Sequence, residues 1–231
     1  MTAIAWQYIP GGFTIGADGR RRNDEGGIET ESAQKVYGVR LPSLRLAFAW
    51  SGTTSAQRTD GVWFTLKDLT DFVLLSLDVS AVASFSEFMT AFRDSLYVLL
   101  LAYIGKAVRS FETREIARAV FLAYFNGSPY VGEVTLNHDG SVVSVPQIWH
   151  SAPDFRFYVF SGSKFVYAKL KDKLSVEPKS LSEASALIRW YIEESGKYPD
   201  IDPDCANIGG HIHIGSLTPS GFTWTDPPRL I

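Results

Sequence analysis

The 231-residue chain sets 22 Lys and Arg against 25 Asp and Glu, a formal net charge of −3. That balance lacks the basic face of a dedicated nucleic-acid binder and the charge run of an acidic solvating tail. With 45% hydrophobic and 20% charged residues, the composition is that of one globular domain, residues 1–231, large enough to bury a core without disulfide or metal staples.

Residues 2–9 read as a strand, Pro10-Gly11-Gly12 as its break, and 13–18 as a second strand returning antiparallel. Residues 19–34 read as a polar loop. Its Arg20-Arg21-Arg22 run has acids close by, which favours a solvated loop over a polyanion site. Two further strands are expected at 35–40 and 44–51, joined around Pro42. The second ends in Trp50-Ser51-Gly52-Thr53-Thr54, which is either a turn lining a cleft or a plain strand-to-helix turn.

Leu66, Leu69, Val73 and Leu77 recur at helical spacing, and Phe85, Phe88, Phe92, Leu96, Leu99 and Tyr103 do so more strongly. Ser84 with Glu87 fits a capping box, and Gly105 falls near that helix's end. The wide apolar surface serves a core or a subunit interface. Strands are expected at 119–125, 130–136 and 141–145, the last two joined by an Asn137-His138-Asp139-Gly140 hairpin turn. Another follows at 155–160, then a helix from Ser163 through Leu170. Ser180 and Glu183 form a second capping box, before an amphipathic helix stopped by Gly196. Strands at 208–217 and 222–225 close the chain. Hairpins dominate, so the sheets should be mostly antiparallel, and two helix clusters separated by strand runs fit two packed sheets with helices on both outer faces.

The lone Cys205 forms no internal disulfide and reads as a small buried residue. No signal peptide is read at the start. The most apolar stretch, 96–104, is about half the roughly 20 residues of a membrane helix, so a cytoplasmic protein without membrane contact is expected. No zinc-type Cys/His spacing, phosphate-binding loop or nucleophile elbow is present. His211 and His213 alternate in an expected strand and so share a face, but no third metal ligand is singled out. His138 is expected to be solvent-exposed in its turn. Thr2 would become the first residue on removal of Met1. A terminal threonine places a hydroxyl and a free amine on adjacent carbons, and such an amine titrates at about 7.7–8.0, so it can serve as a base near neutrality.

Thr2-Ala3-Ile4-Ala5-Trp6, the strand Gly12 to Arg20 containing Asp18, Gln34-Lys35-Val36, the strand Leu46 to Thr54, Ser161-Gly162-Ser163, and Gly209-Gly210-His211-Ile212-His213 with Gly221-Phe222-Thr223-Trp224 occur in that order. Together they resemble the proteasome β-subunit family of N-terminal nucleophile (Ntn) hydrolases and its bacterial relatives. The resemblance spans the whole chain. It implies an α+β fold, a four-layer αββα sandwich of two antiparallel sheets flanked by helices, and no cofactor. It also implies a homo-oligomer, ring-like as in the relatives. By the same resemblance Thr2 is nucleophile and, through its amine, base. Lys35 tunes that amine, Asp18 orients Lys35 and Thr2, Gly52 donates an oxyanion-hole amide, and Ser161 or Ser163 bonds the amine. Arg20 supports Asp18. Read from the residues alone, Asp18 is equally a turn acid paired with Arg20, and Lys35 an exposed strand lysine.

The family's Asp and Ser before the closing Gly-Gly are not in register here. Asp204 and Asn207 each lie about one residue away; either they stand in through a small bulge or the site is incomplete. Trp50, Thr53 and Thr54 would line the substrate pocket, with core packing the other reading of Trp50. The expected function is a threonine-type amidohydrolase acting on a peptide. The alternatives are a non-catalytic structural subunit and an Ntn acylase acting on a small amide. A retained Met1 would block the amine.

Overall fold

The computed structural model describes residues 2–23, 26–58, 60–104, 114–138, 143–144, 147–150 and 154–229. In chain order the strands begin with β1 (Ile4–Ile9), β2 (Gly12–Ala17), β3 (Arg21–Arg22), β4 (Ile28–Thr30), β5 (Val36–Leu41), β6 (Leu44–Gly52), β7 (Ser55–Gln57) and β8 (Trp63–Thr65). Helices α1 (Leu66–Ser76) and α2 (Phe85–Ile104) follow. Next come β9 (Arg114–Phe125), β10 (Ser128–His138), β11 (Val143–Ser144), β12 (Gln147–His150) and β13 (Phe157–Ser161). Helices α3 (Lys164–Leu174) and α4 (Leu181–Ser195) precede the closing strands β14 (His213–Thr218) and β15 (Gly221–Asp226).

The architecture is α+β with antiparallel pairing. One large sheet runs β13-β1-β2-β14-β15 and a second runs β11-β10-β9-β6-β5, with β12 also pairing β10; β3-β4 and β7-β8 form two small ribbons. Side-chain alternation divides each strand between two faces. On β6, Leu44, Leu46, Phe48 and Trp50 join α1 and α2 residues such as Leu69, Val73, Phe88 and Phe92 in one buried cluster. The intervening Ala47 and Ala49 instead meet Ile4, Trp6, Phe13 and Ile15 from β1 and β2, so the sheets pack face to face. Ala3 and Ala5 point the other way, into a third cluster with Val166 and Leu170 of α3 and Ile188 and Tyr191 of α4. Small residues on one face of β6 and β1, with large ones on the other, set how closely each layer approaches.

At both expected capping boxes the serine caps its helix, and the glutamate reaches one residue further back, to the amide before the cap. Ser84 Oγ accepts from the Glu87 amide at 3.2 Å and Glu87 Oε2 from the Ala83 amide at 2.9 Å. Ser180 and Glu183 repeat the pattern ahead of α4. Thr65 caps α1 and Ser163 caps α3.

Several expected boundaries shift. The strand expected from 119 begins at Arg114, because its β-branched and aromatic run pairs with β6 as far as Gly52↔Ala117. It turns through Asn126-Gly127, both at positive φ, into β10. Asn137 and His138, expected in a turn, continue β10; Asp139 and Gly140 lie outside the described residues, as do Met1, Gly105 and parts of the 141–145 strand. The loop expected over 19–34 contains the β3–β4 ribbon. The last long strand starts at His213 rather than 208. A 3-10 turn, Pro203–Asn207, and the positive-φ pair Gly209-Gly210 occupy the preceding residues. Among the described residues no helix is long and apolar enough to cross a membrane.

Gly16 of β2 lies under α4: a Cβ there would sit 2.7 Å from Ile188 Cγ2 and 3.1 Å from Ile214 Cγ1. Gly16→Ala is therefore expected to overpack this contact and cost about 1–3 kcal/mol. Urea unfolding should show a lower midpoint at unchanged slope; an unchanged midpoint would mean that α4 does not need this close approach.

Candidate active site

Asp18 follows β2 and its side chain is fully buried. A buried carboxylate must be saturated with donors to remain ionised. Four are supplied. Oδ1 accepts from the Ala3 amide at 2.9 Å and from Lys35 Nζ at 3.1 Å. Oδ2 accepts from the amides of Arg20 and Gly209, each at 3.2 Å. One oxygen thus holds the residue next to Thr2 and the lysine, while the other ties the end of β2 to the Gly209-Gly210 turn. Gly209 carries φ +157°, and a Cβ there would meet the Arg20 guanidinium at 2.5 Å, so only glycine fits beneath that arginine.

Lys35 is almost as buried, with 11% of its side chain exposed. Its ammonium also donates to the Arg20 carbonyl at 2.6 Å. Burial is the largest influence on its titration and pulls it below the ordinary lysine range; Asp18 opposes this, and the Arg21 and Arg20 charges reinforce it. Burial likewise pushes Asp18 above the ordinary carboxylate range, against the pull of Lys35 and of the Ala3 and Gly209 amides.

The backbone carrying Lys35 is fixed by a histidine. His213 Nε2 accepts from the Lys35 amide at 3.0 Å and the Val36 amide at 3.3 Å. An accepting Nε2 requires the neutral ring with its proton on Nδ1. Burial first, then the Lys35 charge, holds His213 down to about 4. The expectation that His211 and His213 share a strand face is corrected. His211 precedes β14, bonds the Pro227 carbonyl at 2.8 Å and lies 3.6 Å from Asp226. Among the described residues no group of three or more His, Cys, Asp and Glu is arranged to hold a metal.

A cavity of about 890 Å³ opens beside this node. Thr2, Lys35, Gly52, Thr53, Thr54 and Asn207 are among its lining residues. Gly52 ends β6 at φ +91°, where a Cβ would lie 2.4 Å from the Ile116 carbonyl, so the turn admits only glycine. Trp50 also borders the cavity, but its ring is buried in the helix-side cluster and its Nε1 donates to Thr70 Oγ1 at 2.9 Å. Tyr37 closes part of the wall; its hydroxyl donates to the Gln34 carbonyl at 2.7 Å, and burial pushes it up to about 12.

The other expected site residues divide. Arg20 lines the cavity but bonds Glu31 at 3.1 Å and the carbonyls of Ala206 and Ile208. Ser161 pairs with Ile4 at the end of β13, close to the opening strand. Ser163 faces elsewhere: its hydroxyl donates to Asp202 Oδ2 at 2.5 Å and accepts the Val166 amide as the cap of α3. Asp204 sits in the 3-10 turn, where its amide donates to Asp202, and is not a lining residue. Cys205 is buried among apolar neighbours.

No family model and no curated protein matches the chain. Its fold is that of Anbu proteins. An Anbu Gly-1 mutant from Hyphomicrobium sp. strain MC1 aligns with a TM-score of 0.64 at 14% identity, covering 97% of this chain and 85% of that one. Anbu (ancestral beta-subunit) from Yersinia bercovieri gives 0.59 at 12%, covering 98% and 88%. A further Anbu chain from the same Hyphomicrobium strain gives 0.61 at 13%, covering 97% and 85%. The resemblance to the proteasome β-subunit family is therefore corrected. The solved chains to which this one is similar are Anbu proteins, and at 12–14% identity the likeness is one of fold alone. The physical reason lies in the glycines behind the resemblance. Gly52, Gly162, Gly209 and Gly210 all occupy positive φ, so they mark turns that the fold demands and carry little family information.

Nothing local in the sequence marks His213's role. A histidine placed two residues after a His in a Gly-Gly-rich segment carries no signal for accepting two amides 177–178 residues away. His213 titrates near 4 when folded against about 6.5 unfolded, so the unfolded chain binds more protons between those values. Stability should be fully present above pH 6.5 and fall by roughly 3 kcal/mol as the pH drops through 4. His213→Gln keeps an acceptor but does not titrate. Urea titrations at pH 7 and pH 4 should show a larger loss in the wild type than in H213Q, and equal losses would exclude a buried neutral ring.

Proposed function

We propose that the chain is a threonine-type amidohydrolase in which Thr2, freed by removal of Met1, is the nucleophile. The observation that carries this reading is Asp18 Oδ1 accepting from both the Ala3 amide and Lys35 Nζ, beside a cavity lined by Thr2 and Gly52. A fully buried carboxylate used this way sets the start of the chain against a buried cation. Like-charge repulsion from that lysine lowers the affinity of the Thr2 amine for a proton and leaves it basic near neutrality.

In this mechanism Thr2 Oγ attacks the amide carbonyl carbon while its proton passes to the α-amine. The oxyanion that forms is met by the Gly52 amide, a fixed donor of a kind worth about 3–4 kcal/mol of barrier reduction. Collapse breaks the C–N bond, the leaving amine takes the proton from the α-ammonium, and an acyl-enzyme remains. Water activated by the same amine then releases the acid and restores Thr2. Arg20 supports Asp18, and Ser161, Ser163, Asp204 and Asn207 are the candidate groups for bonding the amine. Ser161 and Asn207 suit that role better, since the Ser163 hydroxyl is committed to Asp202 and the α3 cap. Thr53, Thr54 and Trp50 contribute to the substrate wall.

We read the helix pair, two face-to-face sheets and second helix pair as one four-layer αββα domain of the Ntn-hydrolase type spanning 1–231, because each sheet shares clusters with both its neighbours. Homo-oligomer formation goes with this reading. It is supported by the exposed apolar side chains Phe72 and Leu75 on α1 and Val98 on α2, and by the likeness in fold to the ancestral beta-subunit from Yersinia bercovieri. The commitment of Ser163 favours a second reading, a non-catalytic subunit of the same fold.

Intact-mass analysis of protein made in cells should show loss of Met1, and a β-lactone or epoxyketone probe should add to Thr2. Thr2→Ala should abolish the adduct. Lys35→Met, with folding confirmed by near-UV circular dichroism, should slow labelling on the order of 100-fold. Retained Met1 with no adduct would reject the catalytic reading and favour the non-catalytic one.

A further inference from the structure

The cavity beside Thr2 is unusually cationic. Arg20, Arg21, Arg22, Lys35 and Lys67 line it, against the single lining carboxylate of Glu29 among the described residues. Three of these cations already have partners: Arg20 pairs with Glu31 and Lys35 with Asp18, each at 3.1 Å, and Lys67 pairs with Asp71 at 2.5 Å. Arg21 and Arg22 have no carboxylate partner among the described residues.

The backbone of both arginines is nevertheless held in place, and so is the Arg22 side chain. They form β3, whose ribbon pairs Arg21 with Thr30 and Arg22 with Ile28. The Arg22 guanidinium donates to the carbonyls of Gly26 and Ala206, at 2.5 and 2.7 Å. These acceptors are neutral, so they orient the group without offsetting its charge. Arg21 lies near enough to the inner wall for its charge to act on both Lys35 and Tyr37. A guanidinium presents paired N–H groups suited to a planar carboxylate, so an oriented Arg22 with the Arg21 charge beside it favours that group over a diffuse anion.

We propose that the site selects peptide substrates bearing an aspartate or glutamate side chain next to the amide that Thr2 attacks, with Arg21 and Arg22 receiving that carboxylate. This rests on the Thr2 reading above for the cleavage step; the charge preference in binding stands on the cavity alone. Both arginines are solvent-exposed, so the selectivity is screened by salt.

Two measurements separate the claims. The first uses full-length Thr2→Ala protein and fluorescence anisotropy with three dye-labelled peptides that differ only in a central Glu, Gln or Lys. Glu should bind about tenfold or more tightly than Gln, a difference of about 1.4 kcal/mol, and Lys weakest. The preference should shrink between 0.05 and 0.5 M salt and vanish in R21Q/R22Q. Glu29→Gln, which removes the opposing carboxylate, should strengthen it. The second labels wild-type protein with peptide epoxyketones carrying Glu, Gln or Lys beside the warhead, and the Glu probe should react fastest. If no probe labels the protein, the nucleophile reading fails while the anisotropy result still decides the charge preference. Equal binding of Glu and Gln peptides, no binding of any of them, a preference that survives R21Q/R22Q, or displacement of the Glu peptide by millimolar inorganic phosphate would each overturn the proposal.

Discussion

The buried carboxylate of Asp18 is the constraint on which the rest of the site depends. It accepts from Ala3, Lys35, Arg20 and Gly209, and so joins the opening strand, the end of β2, the segment entering β5 and the Gly-Gly turn before β14. Removing one partner of such a buried pair costs about 3–5 kcal/mol, because the other is left charged and unpaired. The same cost enforces geometry: none of the four segments can move far without leaving a buried donor or acceptor unmet. The cavity is placed by this node, since Thr2 precedes Ala3 and Lys35 lines the wall.

A second set of bonds holds the node from behind. His213, at the start of β14, accepts from the amides that carry Lys35 into β5. Its neutrality follows from its position beside a buried cation in the interior, and that neutrality makes it an acceptor. Arg20 acts on the other flank, bridging Glu31 to the Ala206 and Ile208 carbonyls above Gly209. The Asp18–Lys35 pair is thus braced by one neutral ring and one paired guanidinium, and the site cations without a carboxylate partner among the described residues lie outside it, on β3.

The legible parts of the fold were those with local causes. The helical spacing from Phe85 and the Ser84/Glu87 and Ser180/Glu183 boxes announce α2 and α4, because capping and amphipathicity are written in adjacent residues. The Asp18–Lys35 contact is implied by resemblance; the residues alone allow Asp18 equally as a partner of Arg20, and in the structure it bonds the Arg20 amide while Glu31 takes the side chain. The β3–β4 ribbon and the strand boundaries near Arg114 and His213 were not legible, since pairing partners far along the chain decide them. Ser163 was misleading for a related reason: a serine before a helix answers first to the cap. The turn glycines resemble a family because similar backbones need them, which is why fold likeness and family membership part here.

The proposed Thr2 chemistry requires Lys35 to lower the basicity of a free Thr2 amine. The most direct test is a pH titration of that amine by 15N NMR on selectively labelled threonine protein. The expected result is a resonance titrating below the ordinary range of about 7.7–8.0 for a terminal amine, moving back toward that range in Lys35→Met. An amide-like, non-titrating Thr2 nitrogen, or a pKa at the ordinary value that is indifferent to Lys35, would contradict it.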